Sequence, residues 1–136
     1  MPDPQPISPE LDALTCELIG YCLDILATRE DLWPQLAYLE EGSDEPVLVS
    51  FSDDSPDECL EAACTTLREQ PGAYAYALAY SGFVELDEGA QDALLVEFGE
   101  KGAPSAYSAY VAYRHTRDGE FFCADPLPAG EEELLL

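Results

Sequence analysis

The sequence predicts a single α+β domain, an antiparallel sheet with two helices packed on one of its faces, in the order α-β-β-α-β-β-β-β. Three observations predict this class. Two segments carry apolar residues at three- and four-residue steps, most of the remainder follows the two-residue period of strands, and successive strands are separated by short connections. Parallel neighbours need a long crossover, so short connections indicate antiparallel pairing.

The first helix is expected to begin after Ser8 and to end near Thr28. Ser8 offers a capping hydroxyl, Pro9 fits the first helical position, and Glu10 complements the helix dipole. Residues 1–8 contain three prolines and are expected to form a flexible tail. The apolar stripe of the helix consists of Leu11, Leu14, Leu18, Cys22 and Ile25.

A hairpin and a second helix are expected next. Strands are predicted at 35–40 and 47–51, with turn residues between them. Ser55 and Glu58 then form a capping box, and Gln70-Pro71-Gly72 ends the helix that it starts.

The rest of the chain is predicted to consist of strands and a tail. Strands are expected at 73–86, 93–98, 107–115 and 120–124, and Asp118-Gly119 is a hairpin signal. The domain is therefore expected to span 9–128, with an acidic, leucine-ended tail at 129–136.

Alanine and tyrosine alternate over residues 73–80, in the sequence AYAYALAY. In a strand the alanines point to one side, where the preceding helix is expected to approach closely, and the larger residues point to the other. That other side is expected to be half-exposed, to be covered by the first helix, or to form a homodimer interface. The candidate interface consists of Tyr74, Tyr76, Leu78, Tyr80, Tyr107 and Tyr113.

The charge of the chain restricts its partners. Twenty-nine Asp and Glu residues against five Lys and Arg give a net charge of −24. Such a chain cannot assemble the basic face with which proteins bind nucleic acids or anionic membranes. The acidity keeps the protein soluble, attracts a basic partner, or imitates a polyanion. We therefore expect a protein partner, either a second copy or a basic protein.

The cysteines and the N-terminus indicate a cytoplasmic protein. The five cysteines form no C-x-x-C pair, which suggests reduced thiols and gives no support for a zinc site. The N-terminus lacks the basic and apolar regions of a signal peptide. The longest uncharged run, residues 70–84, is too short and too rich in tyrosine to span a bilayer.

The residues Arg114, His115 and Arg117 form a small basic cluster. Histidine is a common general base near neutral pH, and arginines bind anions, so a pocket for an anionic ligand is one interpretation. The other is a strand end whose cations neutralise some of the many carboxylates.

Two sequence patterns resemble metal sites, but their residues do not have the spacing that such sites need. Asp92, Glu97 and Lys101 lack the alternation of magnesium-dependent nucleases, and residues 53–58 lack the spacing of a calcium loop. We assign no catalytic residue, metal ligand or cofactor.

The sequence favours a non-catalytic protein-interaction domain, a homodimer formed through the tyrosine residues or the C-terminal tail. An acidic inhibitor, of the immunity or DNA-mimic type, is the alternative, because the charge would speed encounter with a basic protein. A small enzyme with a pocket near His115 is the third possibility.

Overall fold

Two helices and seven strands form in the part of the chain that the structure, a computed structural model, describes: residues 8–28, 32–43, 45–51, 55–87, 89–103, 105–132 and 135. All strand pairs are antiparallel, which confirms the α+β class and the antiparallel sheet. The predicted flexible tail, apart from Ser8, and several residues of the C-terminal tail lie outside the described residues.

Both helices begin where the capping residues predict. Helix α1 spans Pro9–Ala27, and the Leu11 N–H donates to Ser8 Oγ at 3.2 Å. Helix α2 spans Pro56–Arg68, and the Glu58 N–H donates to Ser55 Oγ at 3.2 Å. In each case a serine hydroxyl accepts from one of the amides that a helix start leaves without an internal partner.

The strands form one sheet in the order β2-β1-β3-β4-β5-β6, and β7 pairs with β5 beside β6. The chain enters the sheet at β1, adds β2 as the outer strand, and returns through α2 to place β3 on the other side of β1. The strands are β1 (Gln35–Glu40), β2 (Val47–Ser50), β3 (Ala73–Leu86), β4 (Gly89–Glu100), β5 (Ala106–His115), β6 (Phe121–Cys123) and β7 (Leu127–Glu132).

The sheet differs from the prediction in two places. Strand β4 begins at Gly89 instead of Ala93, because β3 and β4 continue as a two-stranded hairpin as far as the pair Leu86–Gly89. Strand β7 was not predicted, since its sequence LPAGEE has little strand character. It is fixed by pairing with β5, so residues 129–132 of the expected tail belong to the sheet.

The two helices lie on opposite faces of the sheet, which corrects the expectation that they share one face. Helix α1 packs on Ala75, Ala77 and Ala79, together with the larger side chains of β4. Helix α2 packs on the other face, against a cluster that contains Tyr76 and Leu78. The alanine side therefore receives the first helix, and the tyrosine side receives the second.

Candidate functional site

The six side chains of the predicted interface do not form one surface. Tyr76 and Leu78 are buried beneath α2, at 0% and 2% exposure, and Tyr80 is half-buried beside them. Tyr107 and Tyr113 lie on the opposite face, the one that α1 covers. The expected tyrosine surface is therefore wrong, because α2 covers its centre and the two β5 tyrosines face the other way.

Tyr74 departs from the strand alternation for a local reason. The pairing of β1 with β3 shifts between Leu39 and Glu40, so Leu39 pairs with Ala75 and Glu40 with Ala73. Tyr74 is the extra residue of this bulge, and it packs against the α1 side. A bulge depends on the partner strand, so alternation within β3 alone could not reveal it.

His115 is part of the packing between β5 and α1. Its Nε2 lies 2.8 Å from the carbonyl oxygen of Leu26, in the last turn of α1, and a carbonyl oxygen requires an N–H as its donor. The imidazole also contacts the ring of Phe121, with centroids 5.1 Å apart. Both contacts fix the position of the imidazole ring, so its role here is structural.

The two arginines do not converge on His115. Arg114 is its neighbour in the strand, so it points to the other face, and its guanidinium carbon lies 5.4 Å from the centre of the Phe122 ring. Arg117 is exposed in the turn between β5 and β6. The predicted anion pocket therefore does not assemble from these three side chains.

A cluster of carboxylates and hydroxyls lies beside α2 on the sheet. Tyr80 Oη donates to Glu97 Oε2 at 3.1 Å, and Ser108 Oγ donates to Glu132 Oε2 at 3.1 Å. Burial, opposed by the Tyr80 hydrogen bond and reinforced by Glu132, raises the pKa of Glu97 above its usual range. Burial and the nearby Glu97 raise the pKa of Tyr80 to about 12.

This cluster anchors the C-terminal strand. Its depression has a volume of about 130 Å³, well below the roughly 300 Å³ of small ligand pockets. Glu132 brings β7 to the cluster, and the Leu135 N–H donates to Tyr76 Oη at 3.3 Å. A glutamate with a raised pKa can act as a general acid, but here the raised pKa follows from the burial that holds β7 in place.

A longer depression lies between α1 and the β1–β2 hairpin, and we call it the α1 groove. It consists of two adjoining parts of about 240 Å³ and about 180 Å³ that share Leu14, Glu17 and Pro46. Helix α1 contributes the stripe Glu10, Ala13, Leu14, Glu17, Leu18 and Tyr21. The sheet and its hairpin contribute Ala37, Leu39, Ser43, Pro46, Leu48 and Tyr74.

The α1 groove combines an apolar floor with an acidic rim. Tyr21 and Leu48 flank one end with 43% and 46% of their surface exposed, so both offer apolar contact area to a ligand. Glu10 and Glu17 are exposed on the helix side, and none of the lining residues is basic. Two glutamates beside exposed apolar surface suit a ligand that is both cationic and apolar.

The sequence contains a signal for this groove that strand periodicity alone does not reveal. Val47-Leu48-Val49 is continuously apolar, but a strand can turn only alternate residues toward one face. Val47 and Val49 pack on the α2 side, so Leu48 is left on the outer part of the α1 side. An apolar residue out of phase at an edge strand therefore marks the groove.

Comparisons of the chain with protein-family models, with curated proteins and with solved structures give no match. Within the described ranges, no three His, Cys, Asp or Glu side chains are grouped as a metal site would need. In the same ranges, neither helix has the length and apolarity to cross a membrane. The geometry of the α1 groove is therefore the basis for a functional proposal.

Proposed function

We propose that this chain is a non-catalytic protein-interaction domain that binds a basic segment of another protein in the α1 groove. The acidic rim beside exposed Tyr21 and Leu48 supports the proposal, because it offers a cationic, apolar segment both charge and contact area. The net charge of −24 would also speed the encounter with a basic partner. An acidic inhibitor of a basic protein would act in this way.

A homodimer stays a prediction, but the tyrosine set no longer supports it. Tyr76 and Leu78 lie within the core of one chain and have no surface to offer a second copy. Two grooves facing each other would also bring Glu10 and Glu17 of both copies together, and like charges oppose such contact. Charge therefore favours a basic partner.

The first prediction uses a short synthetic peptide in which lysine alternates with valine as the partner probe. We expect the double variant Glu10→Gln/Glu17→Gln to bind it about tenfold more weakly than the unchanged protein, because two charges at the contact are lost. Fluorescence anisotropy with a labelled peptide measures this affinity, and circular dichroism verifies that the variant is folded.

The matched control is Glu61→Gln/Glu69→Gln, which removes the same number of charges from exposed positions on and beside α2. We expect this variant to change the affinity by less than about twofold. Equal losses in the two double variants would show that the peptide responds only to net charge and would refute a binding site in the α1 groove.

A further inference from the structure

Within the described part of the chain, strand β2 presents unpaired backbone groups at the edge of the sheet. Among the described residues it pairs with β1 alone and lies at the end of the strand order. The Phe51 N–H donates to the Pro34 carbonyl at 3.1 Å. This bond identifies which opposing residues of β1 and β2 form hydrogen-bonded pairs. Hydrogen-bonded pairs alternate in antiparallel ladders, so the N–H and C=O groups of Leu48 and Ser50 point away from β1.

The two edges of the sheet differ in how they resist further pairing. Natural edges are blunted by charges, prolines, bulges or very short strands. On one side β6 has three residues, and β7 carries Pro128, Glu131 and Glu132 with a bulge in its pairing. On the other side β2 reads Val-Leu-Val-Ser, without charge or proline, and its pairing with β1 is regular. The β2 edge therefore lacks these devices, and it is the edge that adjoins the α1 groove.

This open edge is continuous with the α1 groove. Leu48 belongs to both, since its exposed side chain lines the groove and its outward backbone groups lie on the edge. A strand added beside β2 would place alternate side chains next to Leu48 on the α1 side, toward Tyr21 and Glu17. The other side chains would lie beside Val47 and Val49, which are half-buried.

We propose that the partner segment binds in extended form as an eighth strand paired with β2, with lysine or arginine interspersed among its apolar residues. This inference rests on the proposed function and specifies its binding mode. Main-chain hydrogen bonds to Leu48 and Ser50 hold the segment, and the acidic rim selects its charge. A second copy is disfavoured as the occupant, because each chain carries −24.

The test measures amide hydrogen exchange by NMR with the lysine–valine peptide. In the protein alone the Leu48 and Ser50 amides should exchange quickly, because they face solvent at the edge. With saturating peptide we expect both to slow by about tenfold or more, since a new strand accepts their hydrogen bonds. The Val47 and Val49 amides, which point toward β1, serve as the internal reference.

Two variants distinguish the contribution of the Leu48 backbone to peptide binding from that of its side chain. Leu48→Pro removes the outward N–H without removing a bond to β1, whereas Leu48→Ala removes only side-chain contact. We expect Leu48→Pro to weaken peptide binding by more than about tenfold and Leu48→Ala by about threefold. Exchange on the unchanged protein decides the matter if Leu48→Pro does not fold.

Each remaining outcome is decisive. If the peptide binds and Glu10→Gln/Glu17→Gln weakens it, but the Leu48 and Ser50 amides stay unprotected, the segment binds the groove without pairing and the inference is wrong while the proposed function stands. If the peptide does not bind, the proposed function fails. If both amides are protected without peptide and sedimentation gives a dimer, a second copy occupies the edge and the inference is overturned.

Discussion

Glu97 carries a carboxyl group whose ionisation the fold opposes. Its carboxylate accepts from Tyr80 Oη, but burial dominates and, with Glu132 nearby, raises the pKa. A carboxyl whose pKa is higher in the folded state favours the fold when it is protonated. Its stabilising contribution is therefore present below the ordinary glutamate pKa and is lost as the pH rises through the folded-state value.

The second prediction follows from the raised pKa of Glu97, which makes the ionised carboxylate unfavourable in the folded state. Glu97→Gln keeps an oxygen that can accept from Tyr80 but removes the charge, so we expect it to raise the free energy of unfolding at pH 7. The gain should shrink as the pH falls toward about 4, where the native carboxyl is also protonated. Urea unfolding at a series of pH values measures it.

Glu61→Gln serves as the control for Glu97→Gln, because Glu61 is exposed on α2. It should change the free energy of unfolding at pH 7 by less than about 0.5 kcal/mol. If Glu97→Gln destabilised the protein at pH 7, the ionised Glu97 carboxylate would be a net stabilising group, and burial would not be the dominant influence on its pKa.

At the scale of elements, α2 is held by fewer buried side chains than α1. Helix α1 buries six apolar residues, whereas α2 buries Cys59, Ala63 and Leu67. Leu67 is the largest of the three, at 2% exposure, and belongs to the cluster that contains Tyr76 and Leu78. The attachment of α2 to the sheet therefore depends strongly on this one side chain.

The third prediction compares two leucine truncations. We expect Leu67→Ala to lower the free energy of unfolding by about 3 kcal/mol, because it leaves a cavity between α2 and the sheet. The exposed Leu48→Ala should change the same quantity by less than about 0.5 kcal/mol. Urea unfolding measures both, and similar losses would contradict the burial described for these leucines.

The locally encoded elements were the ones that the sequence predicted. The serine caps of both helices and the bounds of β1 depend on neighbouring residues only, and they agree with the structure. Strand β7 could not be predicted, because Pro128 and Gly130 give it no intrinsic strand preference and its pairing with β5 is a long-range contact. The bulge at Tyr74 has the same origin.

Side-chain size could have predicted which face of the sheet each helix covers. Alternation placed Ala75 and Ala77 on one side and Tyr76 and Leu78 on the other, but it does not say which helix covers which side. In the structure the leucine-rich α1 packs on the alanines, and α2, whose buried residues include Cys59 and Ala63, packs on the tyrosine side. On β3, the leucine-rich helix therefore faces the small residues, and the helix that buries Cys59 and Ala63 faces the large ones.

The α1 groove could not be predicted from the sequence, for a different reason. Its two walls come from α1 and from the β1–β2 hairpin, and no sequence period connects Glu17 with Leu48. Only the packing of α1 over Ala37 and Leu39 brings them together. The predicted anion pocket, in contrast, was drawn from residues close in sequence, and strand alternation then separated Arg114 from His115.

For the whole molecule, the same charge acts on folding and on binding with opposite consequences. A net charge of −24 on 136 residues repels itself most when the chain is compact, so it lowers the stability of the fold. It also attracts a basic partner. Salt screens both effects, because the Debye length falls from about 10 Å at 0.1 M to about 3 Å at 1 M.

The fourth prediction is that added sodium chloride stabilises the fold and weakens peptide binding. Raising the salt from about 0.05 M to about 0.5 M should increase the free energy of unfolding by about 1 kcal/mol or more, while the affinity for the lysine–valine peptide falls by about tenfold or more. Thermal unfolding and anisotropy, in the same buffers, measure the two quantities.

The control for specific ion effects is a parallel series in which potassium replaces sodium at equal ionic strength, since screening depends on ionic strength and not on the cation. The two salts should give the same midpoints. A midpoint that did not move with salt would show that the carboxylates are spaced too widely to repel one another. A peptide affinity that did not move with salt would mean that apolar contact alone holds the partner, and the acidic rim of the α1 groove would have no role in selecting it.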